Sequence, residues 1–96
     1  MSVTNRVAEK VRNAAGRKMG PDGIIRPVDK EDEIDKWAAA TFVTPVSTRF
    51  LAYLKSITIN NLLGPGVSDN ELRHMEGQRY LVALIERRIE NGRRSA

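Results

Sequence analysis

Near its C-terminal end the chain carries a start signal and a stop signal for one helix, and the distance between them constrains the whole fold. Ser68-Asp69-Asn70-Glu71 has the form of a capping box, in which serine and glutamate satisfy each other's orphan backbone N–H groups. Asn91-Gly92 has the form of a helix stop, with Arg87 and Arg88 near the negative end of the helix dipole. Roughly 22 residues lie between these signals, a rod of about 33 Å at 1.5 Å per residue. That is long for a body drawn from only 96 residues. Leu72, Met75, Val82, Ile85 and Ile89 mark one face of the rod, and Leu81 and Leu84 widen it. Its C-terminal end is expected to project beyond the other helices, where a neighbouring chain would cover it.

Two more helices are legible upstream. Thr44-Pro45 ends one and begins the next, with threonine as N-cap and proline at the first helical position. Val46, Phe50, Leu51, Tyr53, Leu54 and Ile57 are expected to form the buried face of the helix that follows. The helix before it is expected to start at an Asp29 N-cap, with Glu31 and Asp32 on the positive end of its dipole. Ile34, Trp37, Ala38, Thr41 and Phe42 make its apolar stripe. The run Glu31-Asp32-Glu33-Asp35 is explained by the dipole and by solvation, because no histidine or second carboxylate cluster adjoins it to complete a metal site.

The first third reads differently. Val3, Val7, Val11 and Ala14 recur at helical spacing over residues 4–15, with Arg6, Lys10, Asn13 and Arg17 on an adjacent face. A helix that short is marginal alone in water and needs a partner surface. Gly16, Gly20, Pro21, Gly23 and Pro27 then break regular structure, and Pro21-Asp22-Gly23 has turn chemistry. The fold class expected is therefore all-α: a three-helix body over residues 28–96 with a long C-terminal helix. Residues 1–27 form a basic N-terminal helical arm and a Gly/Pro linker.

Composition narrows the chemistry. All five aromatics fall between Trp37 and Tyr80, which places the expected core there. The absence of cysteine excludes disulfides and thiolate metal sites. No apolar run approaches the ~20 residues that span a bilayer, and the first sixteen residues hold no signal-peptide core, so the expected site of synthesis and retention is the cytoplasm. The net charge of +4 is uneven: +4 over residues 1–26, −3 over 27–45, +1 over 46–70 and +2 over 71–96. A basic arm beside an acidic segment suits docking on something negative outside the domain, either nucleic acid or an acidic protein surface.

Nothing in the sequence assembles a catalytic constellation. His74 is the only histidine, and no serine or carboxylate is placed to form a nucleophile–base pair with it. There is no phosphate-binding loop and no dinucleotide pattern. No enzyme, cofactor or metal is expected. The unusual stretch is Glu76-Gly77-Gln78-Arg79, a glycine inside a helix at a cost of about 1 kcal/mol relative to alanine. Close approach of another helix at Gly77 would explain it, with Glu76 and Arg79 paired at i, i+3 or reaching across to a partner.

The stretch over residues 37–89 resembles a small protein family encoded in the morphogenesis regions of tailed phages. The resemblance rests on Phe42, the Thr44-Pro45 start, Phe50-Leu51 with Leu54 a turn later, a polar loop, and Glu76-Gly77-Gln78-Arg79 in the last helix. The family's form there is a Glu-Gly-Arg-Arg-type motif, and this chain has Gln78 where arginine is usual. The resemblance implies a minor virion component, assembled in the host cytoplasm. It would sit at the portal and head–tail junction, in the internal ejection apparatus, or on the capsid. Its expected partners are copies of itself and other virion proteins. Val3, Val7 and Val11, flanked by Arg6, Lys10 and Arg17, are the candidate docking arm. Glu76, Gly77, Arg79 and Ile89 are candidates for helix or subunit contact. The alternative is a small nucleic-acid-binding regulator that uses the basic arm for non-specific DNA contact, although Glu71, Glu76, Glu86 and Glu90 among the arginines of the last helix work against it.

Overall fold

The structure, a computed structural model, describes residues 16–95. Five elements follow in order: β1 (Arg17–Met19), β2 (Ile25–Pro27), α1 (Val28–Thr41), α2 (Pro45–Ser56) and α3 (Asp69–Arg94). The expected arm helix, with Val3, Val7, Val11, Arg6 and Lys10, lies outside the described residues. Arg17 is exposed on β1.

The three helices of the body are present, but the fold is not purely α. Residues expected to be a linker form a two-stranded antiparallel hairpin, with Arg17 opposite Pro27, Lys18 opposite Arg26 and Met19 opposite Ile25. Pro21-Asp22-Gly23 lies in its loop. The Gly20 N–H donates to the Ile24 carbonyl at 2.9 Å, the Gly23 N–H donates to the Gly20 carbonyl at 2.9 Å, and Gly23 takes φ 82°. Glycine and proline at this density break long elements, but strands of three residues need only a tight turn between them. At the base of the hairpin the Val28 N–H donates to the Gly16 carbonyl at 2.6 Å, so the second strand leads straight into α1. That entry replaces the expected aspartate cap. Pro27 is the N-cap residue, no side chain caps the helix, and Asp29 sits in the first turn.

The other starts match their signals. Thr44 accepts from the Ser47 N–H and Ser47 returns the bond, with proline at N1 of α2. Ser68 and Glu71 close the same reciprocal box on α3. The far end of α3 differs from expectation, since the helix runs through Asn91-Gly92 and ends at Arg94 with Ser95 as C-cap.

Helices α1 and α3 run in the same direction, as the pairings of Glu31 with Arg88 and Phe42 with Arg93 show. Helix α2 returns antiparallel to α3, with Lys55 beside Glu86 and Thr58 beside Arg79. The packed part of α3 is its C-terminal half, where Val82, Arg88, Ile89 and Gly92 are buried. The expected projection is thus reversed: from Asp69 to Gln78 every residue but Met75 is exposed. Nor is there an aromatic core. Trp37, Phe50, Tyr53 and Tyr80 are each more than half exposed, and Val82 and Ile89 are the buried apolar residues among those described. Among the described residues no helix is long and apolar enough to cross a membrane.

Candidate functional site

The most enclosed side chain in the described structure is an acid. Glu31 is 1% exposed, and Asp35, one turn later on α1, is 6% exposed. Both face Arg88 of α3. The Arg88 Nη1 donates to Glu31 Oε1 at 2.7 Å and to Asp35 Oδ1 at 3.0 Å, and Nη2 donates to Glu31 Oε2 at 3.3 Å. The hairpin supplies the rest. Arg26 reaches Glu31 Oε2 at 2.6 Å and grips Asp22 through two bonds, at 3.1 and 2.7 Å. Asp22 also accepts from Arg88 at 3.4 Å.

Two guanidiniums and three carboxylates thus fasten the hairpin, α1 and α3 at one point. Every buried side-chain nitrogen and oxygen among the described residues has a partner, which makes such a cluster tolerable in a low-dielectric interior. Gly20 makes room for it, because a Cβ there would collide with the Glu31 carboxylate and lie 3.0 Å from Arg88 Nη2.

The electrostatics hold this cluster in its charged form. The hydrogen bonds from Arg26 pull the Asp22 carboxyl down to about 2, helped by the Ile24 N–H. Burial alone would raise the Glu31 pKa, but bonds from Arg88 and Arg26 outweigh it and leave a net lowering. Burial likewise works to lower the Arg88 pKa, and its bonds to Glu31 and Asp35 reverse that. Groups moved away from neutrality in these directions are poor proton carriers near pH 7. The cluster is a fastening. This corrects the solvated-face explanation of Glu31 and Asp35, since both lie inside, while exposed Glu33 pairs with Lys30 at 2.8 Å. Among the described residues no group of three or more acidic, histidine or cysteine side chains is arranged to hold a metal ion.

The residues expected at helix contacts are placed as follows. Gly77 is exposed, and a Cβ added there would meet nothing within 4 Å, so no helix among the described residues approaches it. The close-approach glycine is Gly92, where a Cβ would collide with the Asp35 carbonyl and lie 2.8 Å from Ala39 Cβ. Glu76 and Arg79 pair at 2.8 Å. Arg79 also reaches the turn after α2, donating from Nε to the Thr58 carbonyl at 3.0 Å and from Nη2 to the Asn61 carbonyl. Ile89, 4% exposed, is buried within the chain itself.

Sequence reasoning missed Arg88 as the hub. A signal existed: Glu31 and Asp35 share a helical face with Ala38 and Phe42 at i, i+4, i+7 and i+11, which puts acids on the side that must pack.

Helix α2 is the unusual surface. None of its residues is buried. Leu51 and Leu54 are half-buried, and Lys55 meets Glu86 of α3 at 2.9 Å. Val46, Phe50, Tyr53 and Ile57, expected inside, are 73%, 57%, 53% and 43% exposed. At 3.6 residues per turn these four fall within about 60° of one another around the helix axis. The Phe50 and Tyr53 rings lie 5.8 Å apart at 37° on this stripe. Helix α2 is therefore apolar on the side of its own body and also on a side that faces solvent.

A second apolar area lies beyond the end of α2, where Ile59, Leu62, Tyr80 and Ala83 line a shallow hollow with Glu76 and Arg79. Leu62 is 92% exposed there. No known protein family, curated protein or solved structure matches this chain.

Proposed function

We propose that this chain is a structural subunit whose fold is completed by packing into a larger assembly. The observation that supports this most directly is the solvent-facing stripe of α2, four apolar side chains on a helix that buries nothing of its own. Contiguous exposed apolar surface of this kind marks interaction sites. The hollow around Leu62 and the exposed N-terminal half of α3 extend the surface available to neighbours. Together with the resemblance over residues 37–89, this favours a minor component of a tailed-phage particle, placed at the portal and head–tail junction, in the internal ejection apparatus or on the capsid.

Light scattering on the purified chain, at low and high salt and with and without a short DNA duplex, tests the reading. The expected result is a species heavier than the monomer that DNA leaves unchanged. Its mass should hold or grow at high salt, because apolar association is not screened as ion pairs are. A monomer that binds duplex at low salt and releases it at high salt would overturn it in favour of the nucleic-acid-binding regulator.

A further inference from the structure

We infer that α2 pairs with the α2 of a second copy of this chain, antiparallel and about a two-fold axis between Phe50 and Tyr53. The inference rests on the assembly reading above and adds the partner and the geometry. Its basis is the arrangement of the exposed stripe. Val46, Phe50, Tyr53 and Ile57 are separated by four, three and four positions, a spacing that reads the same in both directions. A two-fold axis at its centre sets Phe50 of one copy against Tyr53 of the other, and Val46 against Ile57. Aromatic then meets aromatic, and β-branched aliphatic meets β-branched aliphatic. Such self-matching is the requirement of an isologous interface, in which one patch serves both subunits.

Charge agrees with this placement. Helix α2 carries Arg49 and Lys55 and no acid. The same axis sets Arg49 level with Leu54 of the second copy and about 7 Å along the axis from the second Arg49, and Lys55 is already held by Glu86. Like charges are thereby kept from facing each other directly. A parallel pair in register would instead bring Arg49 against Arg49.

Area sets the strength. Given these exposures, four side chains of this size remove on the order of 400 Å² per protomer from water, about half of the ~800 Å² per partner of a standard interface. The pairing is therefore modest by itself and concentration-dependent, as suits one of several contacts in a larger assembly. Val43, 70% exposed, precedes the helix and Ile59, 37% exposed, follows it in the chain.

Sedimentation equilibrium on the full chain across the micromolar range, joined to thiol cross-linking, tests the pairing. The wild type should shift from monomer to dimer with concentration. Phe50→Glu should weaken the dimer at least tenfold while leaving the helical circular dichroism unchanged, because Phe50 supports no buried contact. Leu72→Glu, on an exposed part of α3, should leave the dimer intact. The chain has no cysteine of its own, so Val46→Cys and Ile57→Cys chains can be mixed and treated with a short bifunctional thiol reagent. The mixture should cross-link efficiently and Val46→Cys alone should not, since two copies of position 46 would lie roughly 16 Å apart along the axis. Efficient cross-linking of Val46→Cys to itself would overturn the antiparallel geometry. An oligomer that survives Phe50→Glu would overturn α2 as the pairing face and leave the assembly reading standing. A wild type that is monomeric at every concentration would overturn both the pairing and self-assembly.

Discussion

At the residue scale, the structure is probed at one side chain and two missing ones. Arg88 bonds both buried acids of α1, so Arg88→Met leaves Glu31 with Arg26 and Asp35 with no cationic partner among the described residues. Uncompensated buried charge is expensive, and the loss should be about 3–5 kcal/mol by urea denaturation. Arg88→Lys should recover only part of it, because an ammonium cannot reproduce the fork that meets two carboxylates at once. The glycines respond with opposite signs. Gly92→Ala would drive a methyl into the Asp35 carbonyl and should lower the melting temperature. Gly77→Ala meets open space and should raise stability by about 1 kcal/mol through helix propensity alone. Melting curves of the two variants side by side check this, and a stabilised Gly92→Ala would contradict the crossing geometry.

At the scale of elements, legibility followed the locality of the forces. The Thr44 N-cap and the Ser68 capping box act within four residues, and both are legible because nothing distant alters them. The end of α3 is not, since Gly92 has the chemistry of a helix stop and is used for close packing on α1. The hairpin is not legible because its strands are too short to show a period. Its stability comes from Arg26 and Asp22 joining a cluster whose other members lie on α1 and on α3, far along the chain. Burial on α2 is not legible because amphipathicity states which face is apolar and not whether the chain's own body covers it.

The element joint that holds α2 to the body can be tested directly. Arg79 ties the turn after α2 through the carbonyls of Thr58 and Asn61. Arg79→Ala should cost about 1.5–3 kcal/mol, the usual range for hydrogen bonds that involve a charged group, in a urea titration followed by far-UV circular dichroism. A cost within error of zero would show that the turn holds itself.

At the scale of the molecule, an ionic fastening in place of an apolar core gives the described fold a particular response to acid. Asp22 titrates at about 2 in the folded protein, below its ordinary 3.8, and Glu31 is lowered too. Groups lowered by folding contribute stability that is present above their unfolded pKa and lost as pH falls through the folded one. Stability should therefore be level from neutrality to about pH 5 and fall steeply between about pH 4 and 2. Urea midpoints measured along this range check it, and a midpoint that rose on acidification would contradict the cluster's role.

The looseness of α2 has a consequence in time. A helix that buries no residue, joined to its body by half-covered leucines, an ion pair and the grip of Arg79 on a turn, opens at little cost compared with the fastened hairpin, α1 and α3. Its amide hydrogens should exchange with deuterated water orders of magnitude faster than those around Arg88 while the chain is alone. Once α2 is covered by a neighbour, the two rates should converge, so α2 would become rigid at the moment of assembly.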